Sequence, residues 1–110
     1  MAELCELSCK ACRGDLPKLT GEELAAYASH VTDWNVVDGH HLHRRWKFPD
    51  FVGALAFVNR VGALAEEEGH HPDLSLTWGR VDVEIWTHKV GGLTVSDFIL
   101  ASKIDRIPAG

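Results

Sequence analysis

The sequence predicts an α+β fold, in which three helices pack on one face of a four-stranded antiparallel sheet in the order α-β-β-α-β-β-α. Three segments space their apolar residues as a helix does, and two others each hold a pair of alternating strands around a glycine turn. The 110 residues, 45% of them hydrophobic and 25% charged, suit a single globular domain. One-sided helices and hairpins bury their apolar faces together as two layers.

The first predicted helix lies in the segment TGEELAAYASHV, residues 20–31. Thr20 is a good N-cap residue, and Glu23 three positions later completes a predicted capping box. The apolar positions follow one helical face: Leu24, Tyr27, Ala28 and Val31.

The segment DWNVVDGHHLHRRWKF, residues 33–48, predicts the first hairpin. Alternation in its second strand puts three apolar residues on one face: Leu42, Trp46 and Phe48. The other face is polar: His41, His43, Arg45 and Lys47. For Val36 to meet Leu42 on the apolar face, the two must pair directly, and this predicts a three-residue loop.

The longest predicted helix lies in PDFVGALAFVNRVGALAEEEG, residues 49–69, with Asp50 as its N-cap and Gly69 as its end. Its apolar stripe is wide: Phe51, Leu55, Val58 and Ala65, with Phe57, Val61 and Leu64 on one side. A stripe of this width has enough surface for the sheet and for a second subunit, so we expect a homo-oligomer.

The segment DLSLTWGRVDVEIWTH, residues 73–88, predicts a second hairpin with a two-residue turn at Gly79-Arg80. The predicted register gathers the apolar residues on one face: Trp78 pairs with Val81, Leu76 with Val83 and Leu74 with Ile85. Continued past Asp73 opposite Trp86, this register puts His71 opposite His88. Pro72 weakens the continuation because proline lacks the amide hydrogen.

The last predicted helix lies in TVSDFILASKID, residues 94–105, with Thr94 as its N-cap. Asp97 is its third helical residue, where a capping carboxylate belongs. This ordinary structural role competes with any functional role of Asp97.

The chain divides into an irregular tail at residues 1–19, a folded domain at residues 20–107 and a C-terminal end at residues 108–110. Three cysteines lie in the tail: Cys5, Cys9 and Cys12. Their odd number argues against a disulfide framework. We favour a reduced tail, with a zinc-bound tail as the alternative.

The formal net charge of −5 argues against direct binding to nucleic acid or to an anionic membrane. No apolar stretch is long enough to span a bilayer. The first residues, MAELCELSCK, include acidic side chains and lack the apolar core of a secretory signal. We therefore expect a cytoplasmic protein.

The segment EEEGHHPD, residues 66–73, carries two adjacent histidines at a helix exit. The predicted register brings His88 to the same depression as His70 and His71, and Glu66 lies one helical turn before His70. Three interpretations stay open: acid/base catalysis by imidazoles that titrate near neutral pH, a zinc site, and plain solvated side chains. Convergence of three imidazoles favours catalysis, and adjacent histidines seldom point at one ion.

Tryptophan is more often a core residue than a site residue. Three tryptophans nevertheless offer a stacking surface beside the histidines: Trp34, Trp78 and Trp86.

The spacing of these residues resembles that of the pterin-4a-carbinolamine dehydratase family. The matching pattern is Glu66, His70-His71-Pro72, Trp78, His88 and Asp97. The upstream segments DWNVVDG and KFPDFVGALAFVNRV are also similar, so the resemblance covers residues 20–107.

The resemblance implies dehydration of 4a-hydroxytetrahydrobiopterin to quinonoid dihydropterin, in the recycling of tetrahydrobiopterin, without metal or organic cofactor and in a dimer or tetramer. His70 and His88 would share the acid and base roles, and His71 would hold the pterin with Glu66 orienting the histidines. Pro72, Trp78 and Asp97 would support the site.

The family also implies an alternative. Some relatives bind a transcription factor, and others assist assembly of the carbon-fixing enzyme. The intact catalytic pattern favours the enzyme.

Overall fold

The computed structural model describes residues 17–108, and the predicted fold class and element order are confirmed. The helices are α1 (Gly21–Ala28), α2 (Phe51–Glu68) and α3 (Val95–Ile104). The strands are β1 (Asn35–Val37), β2 (His41–Lys47), β3 (Asp73–Thr77) and β4 (Arg80–Ile85), and a 3₁₀ helix covers His88–Val90. Most of the predicted tail, including its three cysteines, lies outside the described residues, as do residues 109–110.

The four strands form one antiparallel sheet in the order β1-β2-β4-β3. The predicted pairing of Val36 with Leu42 is confirmed, with Asp38, Gly39 and His40 as the three-residue loop. Asp38 and Gly39 adopt positive φ angles of 53° and 64°, which suits a tight loop because both residue types tolerate left-handed backbone.

The predicted register of the second hairpin is wrong by two residues. Leu76 pairs with Val81 and Leu74 with Val83, so the turn lies at Trp78-Gly79. A shift of two residues keeps every side chain on its face, so the apolar pattern does not distinguish the two registers. The supposed pairing of His71 with His88 disappears, and β4 ends at Ile85 before reaching His88.

Packing against the end of β2 fixes this turn. The Phe48 amide donates to the Gly79 carbonyl at 2.8 Å. A Cβ on Gly79 would lie 2.9 Å from the Phe48 carbonyl oxygen, which is too close for any side chain. Glycine is therefore required where the turn meets the neighbouring backbone.

The core lies between one face of the sheet and the helices. Its largest fully buried side chains are Phe57, Phe98, Leu42, Ile85, Leu93, Ile99, Leu100, Ile104, Val31, Val61, Val81 and Val83. The Phe57 ring packs against Trp46 and Phe48, with centroids 4.8 and 5.5 Å away. Truncation of such a buried ring costs about 3–5 kcal/mol.

Helix α2 starts and ends where the sequence predicts. The Asp50 carboxylate accepts a hydrogen bond from the Gly53 amide at 2.8 Å, and Gly69 ends the helix with a φ of 68°. The predicted inner stripe is only partly right, because the buried residues are Ala54, Phe57, Val61, Ala65 and Glu68. Phe51 and Leu55 are 42% and 40% exposed. Apolar residues cover so much of the helix circumference that the sequence does not specify which part faces the sheet.

Helix α1 departs from the sequence expectation at its start. Thr20 is the N-cap, but its side chain makes no capping hydrogen bond, so the predicted capping box with Glu23 is wrong. Leu19 is buried and its amide donates to the Leu93 carbonyl at 2.7 Å, which ties the start of the described chain to the loop before α3. Within residues 17–108, none of the helices is long and apolar enough to cross a membrane.

Candidate active site

A pocket of about 410 Å³ lies where the exit of α2 meets the segment after β4. It is lined by Gly69, His70, His71, Pro72, Asp73, Trp86, Thr87 and His88. The three histidines selected from the sequence therefore share one pocket, although the strand register that suggested their convergence is wrong.

Two adjacent histidines reach the pocket because α2 ends sharply. The left-handed Gly69 reverses the backbone, and the amides of Gly69 and His70 both donate to the Ala65 carbonyl, at 2.9 and 3.2 Å. Pro72 lines the pocket and separates the histidines from β3, which begins at Asp73. The pair thus lies on a short rigid link between a helix and a strand.

His88 enters the pocket from a small closed loop. The Thr87 amide donates to the Gly92 carbonyl at 2.8 Å, and His88 opens the intervening 3₁₀ helix. Its ring stacks on Trp86 with a centroid distance of 4.3 Å and an interplanar angle of 6°. Trp86 also contacts the rings of His40 and His41, at 5.3 and 5.8 Å. Stacking therefore limits the orientations that the exposed His88 ring can adopt.

His70 is held by a buried carboxylate. Its Nε2 lies 2.6 Å from Asp97 Oδ1, and Asp97 is completely buried. The other carboxylate oxygen, Oδ2, accepts from the Thr94 amide and from the Thr87 hydroxyl, both at 2.8 Å. Asp97 therefore caps α3 as the sequence predicts and contacts the site histidine at the same time.

His71 has a different environment. Its Nε2 contacts Glu66 Oε2, but both side chains are largely exposed, at 61% and 79%. Glu66 lies one turn before His70 in the sequence, yet it contacts the following histidine. Glu68, two residues after Glu66, is buried and forms an ion pair with Lys103 at 2.8 Å.

The other two tryptophans expected beside the histidines lie elsewhere. Trp34 is buried in the core, and its indole N–H donates to Asp105 at 2.8 Å. Burial raises the pKa of the Asp105 carboxyl above its ordinary value, although hydrogen bonds from Trp34 and Arg44 oppose the shift. Trp78 is 67% exposed at the tip of the β3-β4 hairpin. Trp86 is the tryptophan that lines the pocket.

Sequence reasoning did not assign Thr87 to the site, and it treated Thr94 only as a helix cap. Their hydroxyls lie 2.9 Å apart beside Asp97. The sequence signal that could have indicated these residues is Asp97 itself, because a carboxylate buried at a helix start needs further hydrogen-bond donors. That one of these donors is Thr87 depends on tertiary contact with the loop after β4.

The pocket can exchange protons with a bound molecule. A carboxylate accepts hydrogen bonds and donates none, so the neutral His70 ring carries its proton on Nε2 and leaves Nδ1 as an acceptor. His88 provides a second imidazole in the same pocket. Within the part of the chain that the structure describes, residues 17–108, no cluster of three or more metal-ligating side chains occurs.

Comparison with known proteins gives a consistent result. The family model described as pterin 4 alpha carbinolamine dehydratase matches residues 17–107. A Rubrobacter xylanophilus protein named "Putative pterin-4-alpha-carbinolamine dehydratase" is 52% identical over 97% of this chain and 100% of its own length. A Rickettsia bellii protein of the same name is 49% identical over 97% of this chain and 98% of its own.

Two solved structures are also similar. A Brucella melitensis structure, described as a transcriptional coactivator/pterin dehydratase, superposes with a TM-score of 0.75 at 33% identity, covering 81% of this chain and 96% of that one. A pterin dehydratase-like RuBisCO assembly factor of the alpha-carboxysome has a TM-score of 0.56 at 23% identity, covering 66% of this chain and 86% of that one. The second likeness concerns the fold alone.

Proposed function

Since the chain belongs to the pterin-4a-carbinolamine dehydratase family, we propose that it converts a 4a-hydroxytetrahydropterin to the quinonoid dihydropterin and water. The observation that carries this proposal is the pocket in which His70, backed by a buried carboxylate, lies with His88. Two imidazoles in one pocket suit a reaction that adds one proton and removes another.

The chemistry defines what the two histidines must do. One protonates the 4a-hydroxyl, the carbon–oxygen bond breaks, and water leaves. The other removes the proton from a ring nitrogen, and the electrons of that N–H bond complete the new carbon–nitrogen double bond. No atom changes oxidation state through an outside donor or acceptor, so the proposal includes neither metal nor organic cofactor.

His70 suits the base role in this scheme. The hydrogen bond from its Nε2 to Asp97 leaves Nδ1 as the basic nitrogen, and the buried carboxylate stabilises the imidazolium that forms. His88 is then the acid that protonates the leaving hydroxyl. Its stacking on Trp86 holds the ring in one plane for that transfer.

His71 suits a binding role. It lines the pocket, but its carboxylate partner Glu66 is exposed to solvent, where an ion pair contributes little. Pro72 restricts the backbone beside it. The biological context that fits this reaction is the recycling of tetrahydrobiopterin after aromatic amino-acid hydroxylation.

The test is a dehydration assay on purified, metal-free protein. A 4a-hydroxytetrahydropterin is generated in place, and its conversion is followed against the spontaneous rate. Acceleration by the wild-type chain, reduced by about 100-fold or more in His70→Ala and His88→Ala, supports the proposal, since general acid/base groups contribute 10²–10⁴-fold. Absence of acceleration by a folded wild-type chain would reject the enzyme.

A second property concerns partners. Three residues along the first half of α2 are exposed although apolar, namely Phe51, Val52 and Leu55 at 42%, 75% and 40%. Exposed apolar patches mark interaction surfaces. We propose that the chain forms a homo-oligomer through this surface. Light scattering tests self-association, because an oligomer has a multiple of the 12.2 kDa mass of one chain.

A further inference from the structure

Thr87 lies at the junction between the supports of the two site histidines. Its side-chain oxygen is 2.8 Å from Asp97 Oδ2 and 2.9 Å from the Thr94 hydroxyl. Asp97 in turn contacts His70, while Thr87 directly precedes His88 in the chain. One side chain thus connects the carboxylate behind His70 with the loop that carries His88.

The direction of every hydrogen bond in this chain of contacts follows from the groups themselves. A carboxylate only accepts, so the single hydroxyl hydrogen of Thr87 is donated to Asp97. Thr87 then has no hydrogen left for Thr94, so the Thr94 hydroxyl must be the donor between the two threonines. The series is ordered from Thr94 through Thr87 to Asp97.

This order determines the proton on His70. With Oδ2 of Asp97 engaged by the Thr87 hydroxyl and the Thr94 amide, the carboxylate cannot rotate freely, and Oδ1 stays directed at His70 Nε2. The proton of the neutral imidazole is thereby kept on Nε2. The basic lone pair is kept on Nδ1.

The backbone of Thr87 also fixes the loop of His88. Its carbonyl accepts from the amides of Val90 and Gly92 at 3.2 and 3.4 Å, and its own amide donates to the Gly92 carbonyl. These bonds close the loop around the 3₁₀ helix. The side chain and the backbone of one residue therefore locate both histidines relative to each other.

We propose that Thr87 is a positioning residue whose hydroxyl holds Asp97 and, through it, keeps the proton of His70 on Nε2. The effect of Thr87 on the reaction rate rests on the proposed dehydratase function, whereas its effect on the tautomer of His70 does not. The backbone contacts of Thr87 survive substitution, so a side-chain variant isolates the hydroxyl.

The kinetic test compares Thr87→Val with Thr87→Ser. Valine has nearly the same shape but no hydroxyl, and serine keeps the hydroxyl without the methyl group. We expect Thr87→Val to lower kcat roughly tenfold with KM changed by less than about threefold, because the lost bond acts on the transition state more than on binding. We expect Thr87→Ser to stay within about threefold of wild type. An equal loss in both variants would contradict a role for the hydroxyl.

The spectroscopic test needs no substrate. The two ring ¹⁵N resonances of His70 report which nitrogen bears the proton. We expect the Nε2-protonated tautomer in the wild type and in Thr87→Ser, and a mixture of tautomers in Thr87→Val. Wild-type resonances of His70 in Thr87→Val would overturn the proposal.

A variant one step further out covers the case in which Thr87→Val does not fold. Thr94→Val leaves the Thr87 hydroxyl in place and removes the donor behind it, together with the hydroxyl oxygen that accepts from the Asp97 amide in the capping box, so we expect the same change in the His70 resonances but smaller. Thr94→Ser keeps both contacts and is the matched control, with a His70 spectrum expected to equal that of the wild type. An unchanged His70 spectrum in folded Thr94→Val would contradict the ordered series. If the wild type does not accelerate dehydration, the function fails, and the His70 spectrum still decides the role of Thr87.

Discussion

Two adjacent histidines at the exit of α2 each contact a carboxylate, but the two pairs differ in burial and in how the carboxylate is held. In the His70–Asp97 pair the side chains are 13% and 0% exposed, and in the His71–Glu66 pair they are 61% and 79% exposed. Asp97 is held by further donors from the N-cap of its own helix and from the loop after β4. Among residues 17–108, His71 is the one side chain that contacts the Glu66 carboxylate.

The difference shows that contact alone does not establish a role. A buried carboxylate cannot exchange its partners for water, so its hydrogen bonds are firm and their loss is costly. An exposed pair competes with solvent and salt and contributes about 0–1 kcal/mol. We therefore expect the loss of activity on substitution to increase with the burial of the carboxylate.

The largest effect is expected from Asp97→Asn. The amide oxygen can still accept from Thr94 and Thr87, which turns the NH₂ group towards His70 and requires the imidazole to accept there. His70 then carries its proton on the wrong nitrogen, and we expect kcat to fall by about 100-fold or more. Steady-state kinetics measure this.

The free energy of unfolding of Asp97→Asn, measured by urea denaturation, shows whether a loss of activity reflects a loss of folding. Asparagine keeps a side-chain oxygen that accepts from the Thr94 amide and the Thr87 hydroxyl, so we expect the free energy of unfolding to change by no more than about 1 kcal/mol. Full activity in this variant would mean that the buried pair has no catalytic role.

A third pair of intermediate exposure sharpens the comparison. His43 Nε2 lies 2.8 Å from Asp82 Oδ1 on the open face of the sheet, with side chains 26% and 14% exposed. Burial alone would raise the pKa of Asp82, but hydrogen bonds from Arg45 and His43 outweigh it and hold this pKa below the ordinary 3.8. A lowered pKa means that the ionised carboxylate stabilises the fold above pH 3.8, and that this contribution disappears as the pH falls through the lowered value.

Asp82→Asn should therefore be less stable at pH 7 by about 0.5–1 kcal/mol, and its difference from the wild type should shrink at pH values below that window. Urea unfolding at neutral and acidic pH measures both. Activity should not change, because Asp82 does not line the pocket. A stability difference between Asp82→Asn and the wild type that grows towards low pH would contradict a stabilising role for the ionised Asp82 carboxylate.

The smallest effect is expected from Glu66→Gln. The glutamine oxygen can still accept from His71, and the pair is screened by solvent, so we expect kcat within about threefold of wild type. A rise in KM without loss of kcat would agree with a binding role for His71. A loss of kcat as large as that of Asp97→Asn would contradict the expectation that the more buried carboxylate has the larger effect on activity.

Much of the fold was predictable because its signals are local. The three-residue loop between β1 and β2 follows from requiring Val36 and Leu42 to share a face, and this pairing is confirmed. The ends of α2 follow from Asp50 and Gly69, whose side-chain and backbone preferences act within one turn.

The site was predictable only in part. His70 and His71 are located by the helix end beside them, which is local information. His88 lines the same pocket for a reason other than the predicted pairing, since it stands on a 3₁₀ turn beyond the end of β4. Trp34 was grouped with the histidines by residue type, and Trp78 also by the spacing of the family pattern. Neither residue type nor sequence spacing specifies distance.

The sequence by itself determined which residues alternate, where α2 begins and ends, and which side chains have acid/base chemistry. Each of these depends on neighbours within a few positions. Only the tertiary structure decided the register of β3 against β4, since a two-residue shift keeps the same residues on the apolar face. The close contact of Gly79 with the Phe48 carbonyl favours the observed register. The tertiary structure also decided that Asp97 is buried against His70 and Thr87, because burial depends on residues that are distant in the chain.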